Sequence, residues 1–230
     1  MASIRANALP GVVLWAVAAA VVLVHSFVPA SRGVFDAVAG WKAGGGFGYS
    51  ITATALFAGI LPFLFQKAMP STRSMATLGT LVFTTVLWGY RGFEIDVFYR
   101  FQAFLFGSDP TPGTVAAKVA VDLFIYNVVW AANMQLLTYH WKNSGFRSDA
   151  FAGFPWRDYF RRRLPAAIVS TWAVWLPVLI FVYSLPPNLQ IPLFNLAACF
   201  WALVMGALTA GSPGNRGGKT KRPRPVPSTT

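Results

Sequence analysis

The sequence predicts an all-α fold, a polytopic transmembrane helical bundle of about six spans. Three observations carry this. Charged residues make up 11% of the chain and hydrophobic ones 55%, whereas a soluble domain spends about a quarter of its residues on charge. The apolar runs are long and continuous, without the alternation that a barrel strand needs. Phenylalanine and tryptophan are abundant, at 20 and 9 residues, as aromatic belts at two membrane interfaces require.

The first apolar run covers residues 9–28 and is long enough to span roughly 30 Å at 1.5 Å per residue. It ends at Val28-Pro29-Ala30-Ser31. A cleaved signal peptide is therefore the alternative to a retained helix, and cleavage would leave five spans. Ala43-Gly44-Gly45-Gly46 reads as a flexible break, so residues 1–46 form an extra helix, or signal peptide, plus linker. The second span covers residues 47–66, with Pro62 as a kink, and the third residues 75–90.

A charged, aromatic stretch follows, residues 88–107, and it is the most distinctive part of the chain. It holds two of the seven acidic residues, Glu94 and Asp96. On a helix Arg91 pairs with Glu94 at a spacing of three, and Asp96 with Arg100 at a spacing of four. Pro110 and Pro112 then break the helix. The fourth span covers residues 114–137, and the fifth and sixth, residues 164–185 and 191–208, are joined by a short hairpin at Pro186-Pro187. Between the fourth and fifth, Trp156, Tyr159 and Phe160 alternate with Arg157 and Arg161–Arg163, as in a helix lying on a membrane surface. Residues 47–208 thus form one helical membrane domain, and residues 209–230 a basic tail of disordered composition.

The net charge of +12 does not point to nucleic acid, because the basic residues sit in connections and tails where topology explains them. With six spans, fourteen Lys and Arg fall on one side and five on the other (Arg32, Lys42, Arg91, Arg100 and Lys118), which puts both termini on the cytoplasm-equivalent side. Membrane lipids are the expected surroundings. A homo-oligomer or a larger membrane complex is the expected kind of partner. No Arg- and Ser-rich amphipathic transit segment precedes the first span, so a bacterial inner membrane is expected, with a mitochondrial inner or peroxisomal membrane as the alternative.

Asp122 is the sharpest candidate for a functional role. It lies about eight residues, or roughly 12 Å, into the fourth span, where an acid costs about 2.5–3.5 kcal/mol and must face protein or water. At 100° per residue Lys118, Asp122, Tyr126 and Asn133 share one stripe, with Asn127 and Gln135 on the other side. The stripe reads either as a polar lining for a pathway or as a structural Lys118–Asp122 pair, with Arg91 or Arg100 as other partners for the acid. Glu94 and Asp96, two apart, point in nearly opposite directions and cannot share a proton or a metal. No phosphate loop, dinucleotide fingerprint or nucleophile elbow is present. His25 and His140 have no ligand spacing around them, and Cys199 stands alone. No enzyme, cofactor or metal centre is expected.

Three patches together resemble the small membrane proteins of the Mpv-seventeen and 22-kDa peroxisomal membrane protein family. In the charged stretch Gly92, Phe98, Tyr99, Arg100, Phe101, Phe106 and Gly107 fit that family's motif, while Phe93 and Asp96 replace its proline and histidine. Lys118 and Asp122 are similar to its lysine and acid, with Leu123 in place of a glutamine. Trp172, Trp175, Pro186, Asn195 and Trp201 keep its order, with Gln190 in place of an arginine. The resemblance covers residues 47–208 and leaves the first run as an addition. It implies a helical membrane protein without catalytic residues, some of whose relatives form pores for small solutes.

Two readings of function follow. The first is a passive route for small solutes, lined or gated by Asp122, Tyr126, Asn133 and the Arg91, Glu94, Asp96 and Arg100 set. The second is a non-catalytic structural or assembly subunit of a membrane complex. A membrane enzyme acting on a lipid or quinone is a third, with no converging acid, base, nucleophile and metal set behind it.

Overall fold

The computed structural model describes the backbone of residues 2–70 and 72–211 and the side chains of residues 12–70 and 72–202. Most of the basic tail, residues 212–230, lies outside the described residues. Helix α1 covers Ala2–Phe27 and turns through a short 3-10 segment, Pro29–Ser31, into α2, Arg32–Thr54. A π-helical stretch, Ala55–Ile60, joins α2 to α3, Leu61–Ala68. Helix α4 is Leu78–Phe106, and α5, Pro112–Val121, runs through a ten-residue π-helical stretch, Asp122–Ala131, into α6, Ala132–Asn143. The short α7, Trp156–Asp158, continues through π-helical Tyr159–Arg163 into α8, Leu164–Tyr183, and α9 is Pro187–Gly211. No strand occurs among the described residues, so the fold is all-α.

Three of these helical rods are long and apolar enough to cross a membrane: Pro29–Ala68, Pro112–Asn143 and Trp156–Tyr183. Helix α4 is 29 residues long but carries Arg91, Glu94, Asp96 and Arg100 from its middle onward, and that charge keeps it out of the apolar class. Its ends follow local chemistry. The Thr77 hydroxyl accepts from Thr80 N at 3.2 Å, a side-chain cap for an otherwise orphaned donor. The helix stops at Gly107, whose φ of 87° suits a residue without a Cβ. Thr111 caps α5 in the same way, ahead of Pro112, which has no N–H to leave unsatisfied.

Sequence and structure differ at several boundaries. Within residues 43–46 the helix is interrupted at Gly46, at φ 51° and ψ −127°, so α2 consists of two helical pieces joined across a kink. The third span and the charged stretch form one helix, because nothing between Trp88 and Gly107 interrupts the hydrogen-bond ladder. The surface segment at Trp156–Arg163 runs without a break into α8. The first run packs inside the same core as the rest. Leu14 and Ala18 of α1 are buried against α8 and α9, and the Trp15 indole donates to Val174 O at 2.7 Å.

Helix α4 lies along α2, and the contact is closest at Gly92. A Cβ built there would stand 2.1 Å from Ser50 O and 2.6 Å from Thr54 Oγ1. Only a residue without a side chain allows that crossing. The main core gathers α1, α4, α5, α8 and α9, and a satellite cluster of Ala132, Phe154, Tyr159, Leu164 and Ile168 closes one end.

Candidate functional site: a polar cavity inside the bundle

The acids and bases of α4 are partnered in two separate groups. Asp96 is buried, and its Oδ2 accepts from Lys42 Nζ and Ser50 Oγ, both at 2.7 Å. Its Oδ1 accepts from Arg100 Nε at 3.0 Å. Arg91 donates to Glu94 Oε1 at 2.8 Å, and the Tyr126 hydroxyl donates to the same oxygen. Glu94 and Asp96 therefore serve different neighbours, and both intrahelical pairs expected from spacing are present. Lys42 was counted above as a connection charge, but it is buried on Asp96. The Gly46 kink in α2 accompanies that docking, since Lys42 Nζ also donates to Gly46 O at 3.3 Å.

Between α4, the π stretch with α6, α8 and α9 lies a half-open cavity of about 260 Å³ with a mostly apolar lining. Arg91, Asp122, Tyr126, Asn127 and Gln135 bring polar groups to its wall. Trp88, Tyr99, Trp175, Phe194 and Trp201 supply most of the aromatic surface. Asp122 is buried, and its Oδ2 accepts from the Tyr183 hydroxyl at 2.7 Å, which in turn accepts from Gln102 Nε2 at 2.6 Å. Asp122 makes no ion pair among the described residues. Lys118, one turn away, is also buried, and its Nζ lies 5.9 Å from the centre of the Tyr183 ring. The expected Lys118–Asp122 pair does not form. Two donors belonging to wall residues, Arg91 Nε and Asn127 Nδ2, are buried without a hydrogen-bond partner.

The polar lining differs from the stripe that an α-helix predicts, and the π stretch is the reason. Measured from Asp122 at α-helical pitch, Asn133 lies about 20° away and Asn127 about 140° away. The i→i+5 bonding of Asp122–Ala131 widens each turn to roughly 4.4 residues, or about 80° per residue. Asn127 then swings to roughly 50° from Asp122 and Gln135 to roughly 40°, while Asn133 passes to the far side. There Asn133 Oδ1 accepts from Tyr159 at 2.7 Å and its Nδ2 donates to Val128 O at 2.9 Å. Asn133 is thus a link to the satellite cluster and not a wall residue. Asn127 and Gln135 take its place.

The remaining motif positions fall around this site. Phe98 stacks on Tyr126 with ring centres 4.1 Å apart, and Tyr99 tilts against Tyr183 at 5.1 Å. The Trp172 indole donates to Leu123 O at 2.9 Å, and Trp175 packs on Phe194. Pro186 O accepts from Leu189 N at 2.8 Å in the turn between α8 and α9. Asn195 Oδ1 accepts from Thr54 at 2.8 Å. Arg100 is largely exposed and covers the Phe47 ring at 4.5 Å. Sequence reasoning missed Lys42, Ser50, Gln102, Tyr183 and Trp88, whose roles depend on contacts far apart in the chain. A buried tyrosine in an apolar span was the one signal that marked any of them, since a phenol inside a bundle needs a partner.

Among the described residues no three His, Cys, Asp or Glu side chains come together as metal ligands. The site's groups can hydrogen-bond and hold charge at fixed positions around a space open to small molecules. No family model, curated protein or solved structure matches the chain.

Proposed function

We propose that the chain is a six-span membrane protein giving small solutes a passive route across the bilayer, with the polar cavity as the solute site on that route. The single observation that carries this reading is the cavity itself. The space of about 260 Å³ is half open and lined mostly by apolar groups, with Arg91, Asp122, Tyr126, Asn127 and Gln135 among its lining residues, and buried polar groups in a membrane are costly. The six spans are α1, Pro29–Ala68, α4, Pro112–Asn143, Trp156–Tyr183 and α9. The charge on α4 is tolerable at membrane depth because the bundle pairs it internally. The docking of α1 against α8 and α9 favours its retention as a span. Distant kinship with the peroxisomal and mitochondrial family named above, and residence in a bacterial inner membrane, belong to the same proposal.

The test is release of solutes graded by size and charge from liposomes holding the purified protein, beside Asp122→Asn. The expected result is leakage with a size cutoff and a changed selectivity in the variant. Liposomes that stay tight with folded, inserted protein overturn the reading.

A further inference from the structure

The segment that leads from α7 into α8 carries charge and aromatic surface that the solute route does not use. We propose that Arg157 and Arg161 hold the phosphate of an anionic phospholipid, with Trp156 and Phe160 against its glycerol and upper acyl chains. The site needs α8 to cross the bilayer and does not need the solute route.

Length sets the depth of this segment. The apolar rod Trp156–Tyr183 has 28 residues, or about 42 Å at 1.5 Å per residue. Its last 20 residues, Leu164–Tyr183, carry no charge and cover about 30 Å, the thickness of the hydrocarbon core. Trp156–Arg163 is left over and falls at the level of the headgroups. Tryptophan rings settle at that level, and arginine side chains reach it from either side.

Helical pitch sets the directions. Tyr159 points inward: it is 2% exposed, and its hydroxyl donates to Asn133 Oδ1 at 2.7 Å. Arg157 and Arg161 each lie two residues from it. Arg157 precedes it at α-helical pitch, about 200° back and so about 160° forward. Arg161 follows it on the π-helical Tyr159–Arg163, also about 160° forward at roughly 80° per residue. The two arginines therefore leave the rod on one line, opposite the tyrosine and one turn apart. The same count puts Trp156 and Phe160 together on a neighbouring line, about 90° away. Their rings do stack, with centres 6.1 Å apart, and the residues are 45% and 57% exposed.

Charge and neighbours select the ligand. Asp158 is the one acid between Phe151 and Tyr183, and it is taken: Oδ2 accepts from Arg163 Nε at 2.8 Å, and Oδ1 lies 3.9 Å from Arg162 Nε. Arg157 and Arg161 are exposed and make no ion pair among the described residues. Two unopposed guanidinium groups on one line suit a phosphate, which accepts from both. A zwitterionic headgroup brings a cation that this pair repels, so the lipid is an anionic one. Beside the pair, Phe151 stacks on Trp156 at 6.5 Å and Trp156 on Phe160. That shelf of rings offers nothing to a free phosphate and a contact surface to glycerol and acyl chains.

The test is native mass spectrometry of the full chain in neutral detergent micelles, titrated with phosphatidylglycerol or with phosphatidylcholine of the same acyl chains. The expected result is saturable binding of one phosphatidylglycerol per chain, with phosphatidylcholine weaker by at least about tenfold. Arg157→Gln and Arg161→Gln should each weaken phosphatidylglycerol by about fivefold, and the pair together by about twenty-five-fold. Lys67→Gln with Arg73→Gln removes the same charge from exposed positions between α3 and α4 and should leave the affinity within about twofold. Equal losses in the two double variants make the effect one of overall charge and overturn the proposal. Phosphatidylcholine binding as tightly as phosphatidylglycerol overturns it too. So does displacement by millimolar glycerol 3-phosphate, which carries the phosphate without acyl chains. Lipid affinity is read without reference to liposome leakage, so this site and the solute route fail separately.

Discussion

Replacing Gly92 by alanine puts a methyl group where α4 crosses α2, and the cost can be worked from the contacts. The new carbon stands 2.1 Å from Ser50 O, whereas real Cβ atoms come no closer than 3.0 Å. The helices must therefore part by about 0.9 Å at that point. Overpacking of this kind costs about 1–3 kcal/mol. Parting also stretches the bond that joins the two helices, Ser50 Oγ to Asp96 Oδ2 (2.7 Å), at about 1 kcal/mol. The expected loss is about 2–4 kcal/mol. Two sister variants fix the scale. At Gly59 the added carbon meets Thr84 O at 2.9 Å, for an expected loss of about 1–2 kcal/mol. At Gly89 the nearest atom is Ile51 Cγ2 at 3.5 Å, an ordinary contact. Helix propensity then favours alanine by up to about 1 kcal/mol. Reversible unfolding in mixed micelles, followed by tryptophan fluorescence, should rank the variants Gly89→Ala, Gly59→Ala and Gly92→Ala from most to least stable. Gly92→Ala within 1 kcal/mol of the parent, or no worse than Gly89→Ala, would refute the crossing geometry.

Asp96→Asn strips the partner from a Lys42 side chain that is 3% exposed and should cost about 3–5 kcal/mol by the same assay. The double variant Lys42→Met with Asp96→Leu should recover most of that loss, because the exposed Arg100 needs no buried partner; no recovery would count against the pair as the cause. Asp122→Asn keeps an oxygen for the Tyr183 hydroxyl and should change stability by less than about 1 kcal/mol while altering solute selectivity, and an unfolded variant would make Asp122 a structural residue. Trp15→Phe deletes the bond to Val174 O and should cost about 1 kcal/mol, with no change expected if α1 leaves the bundle in the membrane. In the connection between α6 and α7, Arg147 beside Asp149 holds that carboxyl below its usual range. A depressed pKa stabilises the fold above the unfolded value and stops doing so as pH falls through the folded one. This pair is exposed, however, so Arg147→Ala should leave the unfolding midpoint at neutral pH unmoved.

The legible part of this molecule is whatever short-range pattern decides. Continuous apolar runs mark the helices, and the prolines at 110 and 112 mark the break after α4. The pairs Arg91–Glu94 and Asp96–Arg100 follow from spacing on one helix and are present. Contacts that close over distance stay hidden. Lys42 and Asp96 are 54 residues apart, and Tyr183 and Asp122 are 61 apart, so no local rule joins them. The Gly-rich run marks an interruption that the structure has, the kink at Gly46, but no local rule shows that Lys42 is buried beside it.

The polar lining fails to read out for a different reason, which is periodicity. The residue types pointed to the right helix, and a wheel drawn at 100° per residue turned its face wrongly beyond Val121. A single i→i+5 bond adds roughly one residue to a turn, and ten residues in that state rotate everything downstream by about half a circle. The rotation carries Asn133 out to Tyr159 and brings Asn127 and Gln135 in beside Asp122. An α-helical Asp122–Ala131 would instead set Tyr126 and Asn133 beside Asp122 and turn Asn127 and Gln135 away. Which residues make the lining polar therefore depends on a backbone state and not on side-chain choice alone. Within these positions, a substitution that restores α-helical pitch should exchange Asn127 and Gln135 for Asn133 on the wall.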